Sequence, residues 1–172
     1  MKRGYVQVYT GNGKGKTTAA IGQAVRAAGH GMRTYIGQFM KGCVYGESLA
    51  LANNALIEIE QYGDSRCIRK DEVTHEHTRQ ARRGLKRATE KMLSRTFDIV
   101  VLDEINVTLW FEILNIDEVL GFLARRPDHV ELLLTGRYAP EEILARADLV
   151  SEIMEIKHYF RHGVLARDGI ER

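Results

Sequence analysis

The feature that most constrains this chain is a glycine-rich loop between a strand-like segment and a helix-like one. Residues 5–9 are aromatic and β-branched, residues 10–17 read Thr-Gly-Asn-Gly-Lys-Gly-Lys-Thr, and an alanine-rich run continues toward Gly29. Glycines allow backbone N–H groups to point inward, and a following helix presents its positive dipole end to anions. Strand, loop and helix together predict a phosphate-binding site in an α/β fold.

The side chains in this segment, called the glycine loop (residues 10–17), match the chemistry of ATP with magnesium. Lys16 is placed to give the phosphates a positive charge, and the Thr17 hydroxyl is placed to bind Mg²⁺. We therefore predict Lys16 and Thr17 as the catalytic residues of the loop. The predicted ATP-binding residues are Thr10, Gly11, Asn12, Gly13, Lys14, Gly15, Lys16, Thr17, Thr18 and Arg137. The general motif has glycine where Thr10 stands.

Short apolar segments recur along the rest of the chain, with spacers long enough for crossover helices. They occupy residues 34–39, 55–61, 99–102, 130–135 and 149–156. With the first strand they predict a mostly parallel six-stranded sheet with helices on both faces. The expected fold is a single P-loop NTPase-like (RecA-like) α/β domain over residues 1–172.

Helix signals fill the intervals between these strands. Residues 81, 85, 88 and 92 are apolar at helical spacing, Asp117 is a candidate cap for the next helix, and Pro140 opens a third. Residues 40–48 contain two glycines and are expected to form a surface loop.

The helix around residues 79–95 also carries many arginines and lysines on one side. A solvated helix face is favoured over a nucleic-acid stripe, because no aromatic residues interleave for base stacking.

A second polar feature follows the apolar segment at residues 99–102. Asp103 and Glu104 come directly after it, and a buried strand that ends in carboxylates often supports the magnesium ion opposite a phosphate-binding loop. We predict a metal site formed by Thr17, Asp103 and Glu104. Which of the two carboxylates touches the metal is left open.

Composition excludes several other kinds of protein. The formal net charge of the 172 residues is +2. This charge is low for a protein that binds nucleic acid through the phosphate backbone, so no nucleic-acid partner is expected. No apolar run approaches the roughly 18 residues of a membrane span. The two cysteines, Cys43 and Cys67, lack metal-site or disulfide-framework spacing. These features favour a cytoplasmic protein without membrane association.

The chain resembles the corrinoid adenosyltransferases of the cobalamin pathway, and the likeness runs nearly from end to end. The matching segments are Thr10 to Ala20, Arg26 with Gly29-His30-Gly31, Gln38 to Gly42, Val100 to Glu104, Thr135-Gly136-Arg137, Val150-Ser151-Glu152 and Lys157-His158. The first segment is highly specific, and its initial threonine is the family's own version of the loop.

This resemblance implies a substitution at carbon, in which Co(I) of a reduced corrinoid attacks C5′ of ATP and tripolyphosphate leaves. ATP would lie reversed in the glycine loop, Lys16 would neutralise the leaving group, and Thr17 with Asp103 or Glu104 would position Mg²⁺, or alternatively Mn²⁺. Because cobalt is the nucleophile, no side chain need act as a general base. The resemblance also implies a homodimer and an electron donor such as a flavodoxin or a flavin reductase.

One departure concerns the corrinoid. Relatives carry an aromatic pair after the third strand that displaces the lower cobalt ligand, whereas Asp64 and Arg66 stand at those positions here. Either Tyr62, Phe39 or Tyr45 substitutes, or the reduction step differs. The predicted corrinoid-binding residues are Phe39, Lys41 and Tyr62.

Two alternatives remain open at this level. One is an ATPase or phosphotransferase on the same fold, which would release ADP. The other is a non-catalytic nucleotide- or corrinoid-binding module, favoured by the missing aromatic pair.

Overall fold

The computed structural model describes residues 3–172; Met1 and Lys2, which fall in the predicted domain, lie outside the described residues. A six-stranded sheet organises this part of the chain, with strand order β3-β2-β4-β5-β1-β6. Every strand pairing in the sheet is parallel. The predicted α/β fold class is confirmed, and the sheet is wholly parallel where it was expected to be mostly so.

Strands and helices alternate along the chain. The strands are β1 (Val6–Thr10), β2 (Thr34–Phe39), β3 (Ile57–Tyr62), β4 (Ile99–Asp103), β5 (Glu131–Thr135) and β6 (Leu149–Glu152). The helices are α1 (Lys16–Ala28), α2 (Gly46–Leu51), α3 (His75–Leu93), α4 (Ile105–Trp110), α5 (Ile116–Ala124) and α6 (Glu141–Leu144), with short 3₁₀ turns at Lys70–Glu72 and Tyr159–His162.

Alternate residues of the central strands belong to two separate apolar cores, one on each face of the sheet. On one face Ile36, Val101 and Leu133 pack with three buried alanines of α1. On the other face Tyr35 and Val100 pack with residues of α3, α5 and α6. Successive strand side chains point to opposite faces, so helices cover both faces of the sheet as predicted.

Helix α3 presents the predicted apolar stripe, and Ala81, Leu85, Ala88 and Met92 are all buried. Several basic residues on its outer side pair with carboxylates of this chain: Arg82 with Glu118, Arg87 with Glu60 and Lys91 with Glu58.

The structure corrects three local predictions. The cap of α5 is Asn115, whose side chain accepts a hydrogen bond from the Asp117 N–H, so Asp117 lies in the first turn. Helix α2 begins within the predicted loop at residues 40–48. Strand β6 ends at Glu152, short of the predicted residue 156, because β1 is its partner and ends at Thr10.

A parallel sheet brings the carboxyl ends of its strands to one edge, where ligands bind in open α/β folds. The glycine loop follows β1, Lys41 follows β2, Glu104 follows β4 and Arg137 follows β5. Within residues 3–172, none of the helices combines the length and the hydropathy needed to span a bilayer.

Candidate functional site

The backbone of the glycine loop depends on glycine at two positions. Gly11 has a φ of 92° and Gly15, which caps α1, has a φ of 120°. Side chains are strained in this region of conformational space. Gly13 is required for a different reason, because a Cβ there would lie 2.7 Å from the carbonyl oxygen of Ile153.

The loop is held from both sides by neighbouring segments. The Gly13 N–H donates to the Ile153 carbonyl at 2.7 Å, which attaches the loop to the chain after β6. On the other side, the Thr10 hydroxyl accepts from the Ala139 N–H at 3.3 Å. The loop is therefore fixed by tertiary contacts as well as by its own glycines.

Lys16 folds back into its own loop. Its ammonium group donates to the carbonyl oxygens of Gly11 at 2.8 Å and Gly13 at 2.7 Å. Burial lowers the pKa of Lys16, while the nearby carboxylate of Glu104 opposes that shift. A charged group held by these two carbonyls is ready to exchange them for phosphate oxygens.

Asp103 is the centre of the polar network beneath the loop, and it is only 1% exposed. Its Oδ1 accepts hydrogen bonds from the hydroxyls of Thr17 at 2.8 Å and Thr135 at 2.6 Å. Its Oδ2 accepts from Lys41 at 2.8 Å and from the amide of Gln38 at 3.3 Å. A buried carboxylate needs such partners, since it is otherwise strongly disfavoured in the interior.

Glu104 follows directly in a left-handed conformation, with a φ of 63°, at the start of α4. Its N–H donates to the Thr135 hydroxyl at 3.0 Å, so Thr135 joins both acidic residues. Burial, followed by repulsion from Asp103, raises the pKa of Glu104. The carboxyl group of Glu104 lines the same cavity as Lys16 and Arg137.

Lys41 occupies the opposite side of Asp103. Its ammonium group lies 3.8 Å from Glu47, 3.4 Å from the Thr17 hydroxyl and 5.1 Å from the centre of the Tyr45 ring. Burial is the largest single influence on Lys41 and would lower its pKa, but the attraction and hydrogen bond of Asp103, with the attraction of Glu104 and Glu47, together outweigh burial and raise the pKa. Lys41 is therefore a charged member of the network.

The donor set fits a magnesium ion. Thr17, Asp103 and Glu104 offer hydroxyl and carboxylate oxygens, which are the ligands that Mg²⁺ prefers. The Thr17 hydroxyl uses its hydrogen on Asp103 and accepts from Lys41 at 3.4 Å, which leaves one of its two lone pairs for a cation.

A cavity of about 900 Å³ opens above this network. Nine of the predicted site residues line it: Gly13, Lys14, Gly15, Lys16, Thr17, Thr18, Lys41, Glu104 and Arg137. Asp103 lies beneath its floor, and Thr10, Gly11 and Asn12 are outside its lining. Apolar and aromatic side chains form another part of the wall, among them Tyr45, Phe111 and Ile170.

Two of the three predicted corrinoid residues lie away from this cavity. Phe39 is fully buried and Tyr62 is 5% exposed, and their rings pack together with centroids 5.9 Å apart. Phe39 is the last residue of β2, as predicted, and Tyr62 is the last residue of β3 rather than the first after it. Both rings lie against Gly84 of α3, on the side of the sheet away from the predicted ligand contact. At the positions of the relatives' aromatic pair, Asp64 lies 3.7 Å from the His77 ring and Arg66 forms an ion pair with Glu72 at 2.9 Å.

Several residues of the site were missed. Thr135 and Gln38 are buried polar residues of apolar strands. A polar residue near the carboxyl end of an apolar parallel strand indicates a binding-site residue, and this pattern could have identified both. Glu47 and the segment 169–172, which also line the cavity, carry no sequence signal because they reach it only through the tertiary fold.

Comparisons with known proteins agree with this arrangement. The family model described as "ATP:corrinoid adenosyltransferase BtuR/CobO/CobP" matches residues 2–172. The corrinoid adenosyltransferase of Escherichia coli K12 is 36% identical over 99% of this chain and 86% of its own. The corrinoid adenosyltransferase CobA of Salmonella typhimurium is 38% identical over the same shares, and the Pseudomonas aeruginosa enzyme is 32% identical over 99% and 84%.

The family match covers nearly the whole chain, and the relatives exceed 30% identity across it. Residues from five of the segments that carried the resemblance line one cavity, among them Lys16, Lys41, Glu104, Arg137 and His158. This chain belongs to the ATP:corrinoid adenosyltransferase family BtuR/CobO/CobP.

Proposed function

We propose that this protein transfers the 5′-deoxyadenosyl group of ATP to the Co(I) centre of a corrinoid and releases tripolyphosphate. The observation that carries the proposal is a single cavity with two kinds of lining residue. The glycine loop, Lys16 and Arg137 form the first set, and Tyr45, Phe111 and Ile170, here called the apolar wall, form the second. A triphosphate suits the first set, and a large, partly apolar ring suits the second.

The triphosphate is held by the glycine loop and its cations. Lys16 exchanges the carbonyl oxygens of Gly11 and Gly13 for phosphate oxygens, and Arg137 adds a second positive charge from the end of β5. Backbone N–H groups at the start of α1 point toward the same anion. Binding of the triphosphate in this way leaves the nucleoside end of ATP free to extend toward the apolar wall.

Magnesium fits between the loop and β4. Thr17 and either Asp103 or Glu104 would hold it, and Mn²⁺ would suit the same oxygen ligands. When bound, the ion neutralises negative charge on the phosphates. Thr135 and Gln38 keep the Asp103 carboxylate oriented toward Thr17.

The reaction forms a cobalt–carbon bond and breaks the bond between C5′ and its oxygen. The electron pair of Co(I) goes to C5′, and the pair of the breaking bond leaves with tripolyphosphate. Negative charge therefore grows on the leaving oxygen, where Lys16 and Arg137 lower its energy. No proton is transferred, so the site requires no general base.

The corrinoid is assigned to the apolar wall of the cavity. Phe39 and Tyr62 are not assigned to corrinoid contact, because their buried rings present almost no surface to a ligand. Of the three aromatic residues considered as substitutes, Phe39, Tyr62 and Tyr45, Tyr45 is the one that lines the cavity.

A homodimer and an electron donor, such as a flavodoxin or a flavin reductase, complete the proposal. Exposed apolar side chains beyond β6 support contact with another protein surface. They include Met154, Ile156, which is 96% exposed, Phe160 and Leu165.

The test is to mix the protein with chemically reduced corrinoid and Mg-ATP, then follow the corrinoid spectrum and assay the phosphate products. We expect adenosylcorrinoid and tripolyphosphate in equal amounts. ADP would instead indicate an ATPase or phosphotransferase, and ATP binding without adenosylcorrinoid would indicate a binding module.

A further inference from the structure

All the acceptor positions of Asp103 are filled. A carboxylate offers about four lone-pair sites on its two oxygens. Two are taken by the hydroxyls of Thr17 and Thr135, and two by Lys41 and Gln38. In this state a divalent cation gains a ligand from Asp103 only if one of these partners moves.

Three of the four partners are fixed. Thr135 also accepts the N–H of Glu104 at 3.0 Å. Gln38 is fully buried and accepts a hydrogen bond from Gln61 at 2.9 Å. Thr17 lies in the first turn of α1, and its contact with Asp103 is compatible with a cation on its lone pairs.

Lys41 differs from these three partners. It follows β2 in the segment before α2, its side chain is 14% exposed, and its four-carbon stem is flexible. Its ammonium group is 2.8 Å from Asp103 Oδ2 and 3.4 Å from Thr17 Oγ1. The lysine charge therefore sits beside the two oxygens proposed for the metal.

We propose that Lys41 is a positioning residue that serves as the resident cation of the nucleotide-free site and must swing away from Asp103 when the divalent cation binds. The inference rests on the proposed function and takes Asp103, of the two carboxylates named there, as the metal ligand beside Thr17. Two positive charges this close repel each other strongly in a buried setting. Glu47, 3.8 Å from the Lys41 ammonium group, and the Tyr45 ring, whose centre is 5.1 Å away, offer this charge other partners once it leaves Asp103.

This exchange has a functional consequence. The divalent cation competes with Lys41 in the absence of ATP, so the empty site binds metal weakly. The phosphates of ATP bring additional ligands that favour the exchange. The same movement shifts Lys41 toward Tyr45, so metal binding alters the wall assigned to the corrinoid.

The test uses Mn²⁺ as a paramagnetic probe, titrated by EPR into nucleotide-free protein. We expect Lys41→Met to bind Mn²⁺ at least tenfold more tightly than the unaltered chain, and Lys41→Arg to bind it as weakly as the unaltered chain. Lys86→Met, which removes the same charge from an exposed position on α3, should leave Mn²⁺ affinity unchanged. Equal affinity of the unaltered chain and folded Lys41→Met would overturn the proposal.

A second variant locates the gained site. Adding Asp103→Asn to Lys41→Met should abolish the tighter Mn²⁺ binding; if the gain persists, the ion binds elsewhere and the proposal fails. Mn²⁺ should also raise the melting temperature of Lys41→Met more than that of the unaltered chain, because ligands that bind the folded state stabilise it. These readouts contain no corrinoid or ATP, so they stand apart from the test of adenosyl transfer.

Discussion

Two lysines reach the floor of the same cavity by different routes. Lys16 is held by carbonyl oxygens of its own loop, from Gly11 and Gly13. Lys41 is held by Asp103, 62 positions away in the sequence. The first arrangement belongs to a local motif, and the second exists only because β2 and β4 are neighbours in the sheet.

The two environments also differ in their electrostatics. Burial lowers the pKa of Lys16, which is held by neutral carbonyls. For Lys41 the carboxylates of Asp103, Glu104 and Glu47 together outweigh burial, and the pKa rises. A lysine held by dipoles can release them for an anion, whereas a lysine paired with a carboxylate acts as that carboxylate's counter-ion. Position near a ligand therefore does not by itself define the role of a lysine.

The largest effect is expected for Lys16→Ala, which tests whether Lys16, unlike Lys41, acts directly on the charge that develops in the reaction. We expect turnover to fall by about 10²–10³-fold, the usual effect of removing one group that stabilises developing charge. Steady-state adenosyl transfer is the measurement, and the thermal transition checks the fold. The matched control is Lys14→Ala, an exposed lysine of the same loop, which should have a smaller effect. Wild-type turnover in Lys16→Ala would remove Lys16 from the mechanism.

The tertiary network is probed by Thr135→Val. This change removes the hydroxyl that donates to Asp103 and accepts from the Glu104 N–H. Leaving buried partners unsatisfied costs about 1–3 kcal/mol, and urea denaturation should show that loss in the free energy of unfolding. Thr135→Ser keeps the hydroxyl and should recover most of it. Unchanged stability in Thr135→Val would show that the network does not depend on Thr135.

Alanine substitutions at two helix glycines distinguish an effect of tertiary packing on stability from an effect of the local backbone. A Cβ at Gly84 of α3 would lie 2.7 Å from the Tyr62 ring, whereas a Cβ at Gly22 of α1 meets nothing within 4 Å. Gly84→Ala should destabilise by about 1–3 kcal/mol through overpacking. Gly22→Ala should stabilise by about 0.4–1 kcal/mol through the backbone entropy of the unfolded chain. Effects of the same sign in urea denaturation would contradict this distinction.

The smallest expected effect is the pH dependence of Glu104→Gln. The pKa of Glu104 is raised in the folded protein by burial and Asp103, so the ionised form is disfavoured there. The protonated Glu104 carboxyl therefore contributes to stability at low pH, and this contribution is lost as the pH rises through the folded-state pKa. The amide should therefore raise the melting temperature at neutral pH by about 2–4 °C, and the gain should vanish toward pH 4.

The control for this titration is Glu112→Gln. Glu112 is exposed, and its hydrogen bond with Lys70 lowers its pKa, so the sign reverses. Removal of this carboxylate should leave stability unchanged or slightly lower at neutral pH. A stability gain in both variants would point to a general effect of lost negative charge.

Much of the fold was predictable from the sequence. β2 was predicted with the observed bounds, Thr34–Phe39, because β-branched and apolar residues bounded by turn signals describe a buried strand well. The extent of β6 was not predictable, since it depends on where its partner β1 ends. The face on which Phe39 lies was also missed: strand β2 is buried on both sides, so it has no polar alternation to distinguish them.

The amino-acid sequence by itself determined the glycine loop, the position of Lys16 and Thr17, and the carboxylates at the end of β4. These features follow from backbone conformations and spacings within a few residues, which are short-range properties. Only the tertiary structure decided that Lys41 pairs with Asp103, that Thr135 joins Asp103 to Glu104, and that Tyr62 packs against Gly84. Those contacts depend on strand order and on which helix covers each face, and residues far apart in the sequence meet only when the whole sheet is assembled.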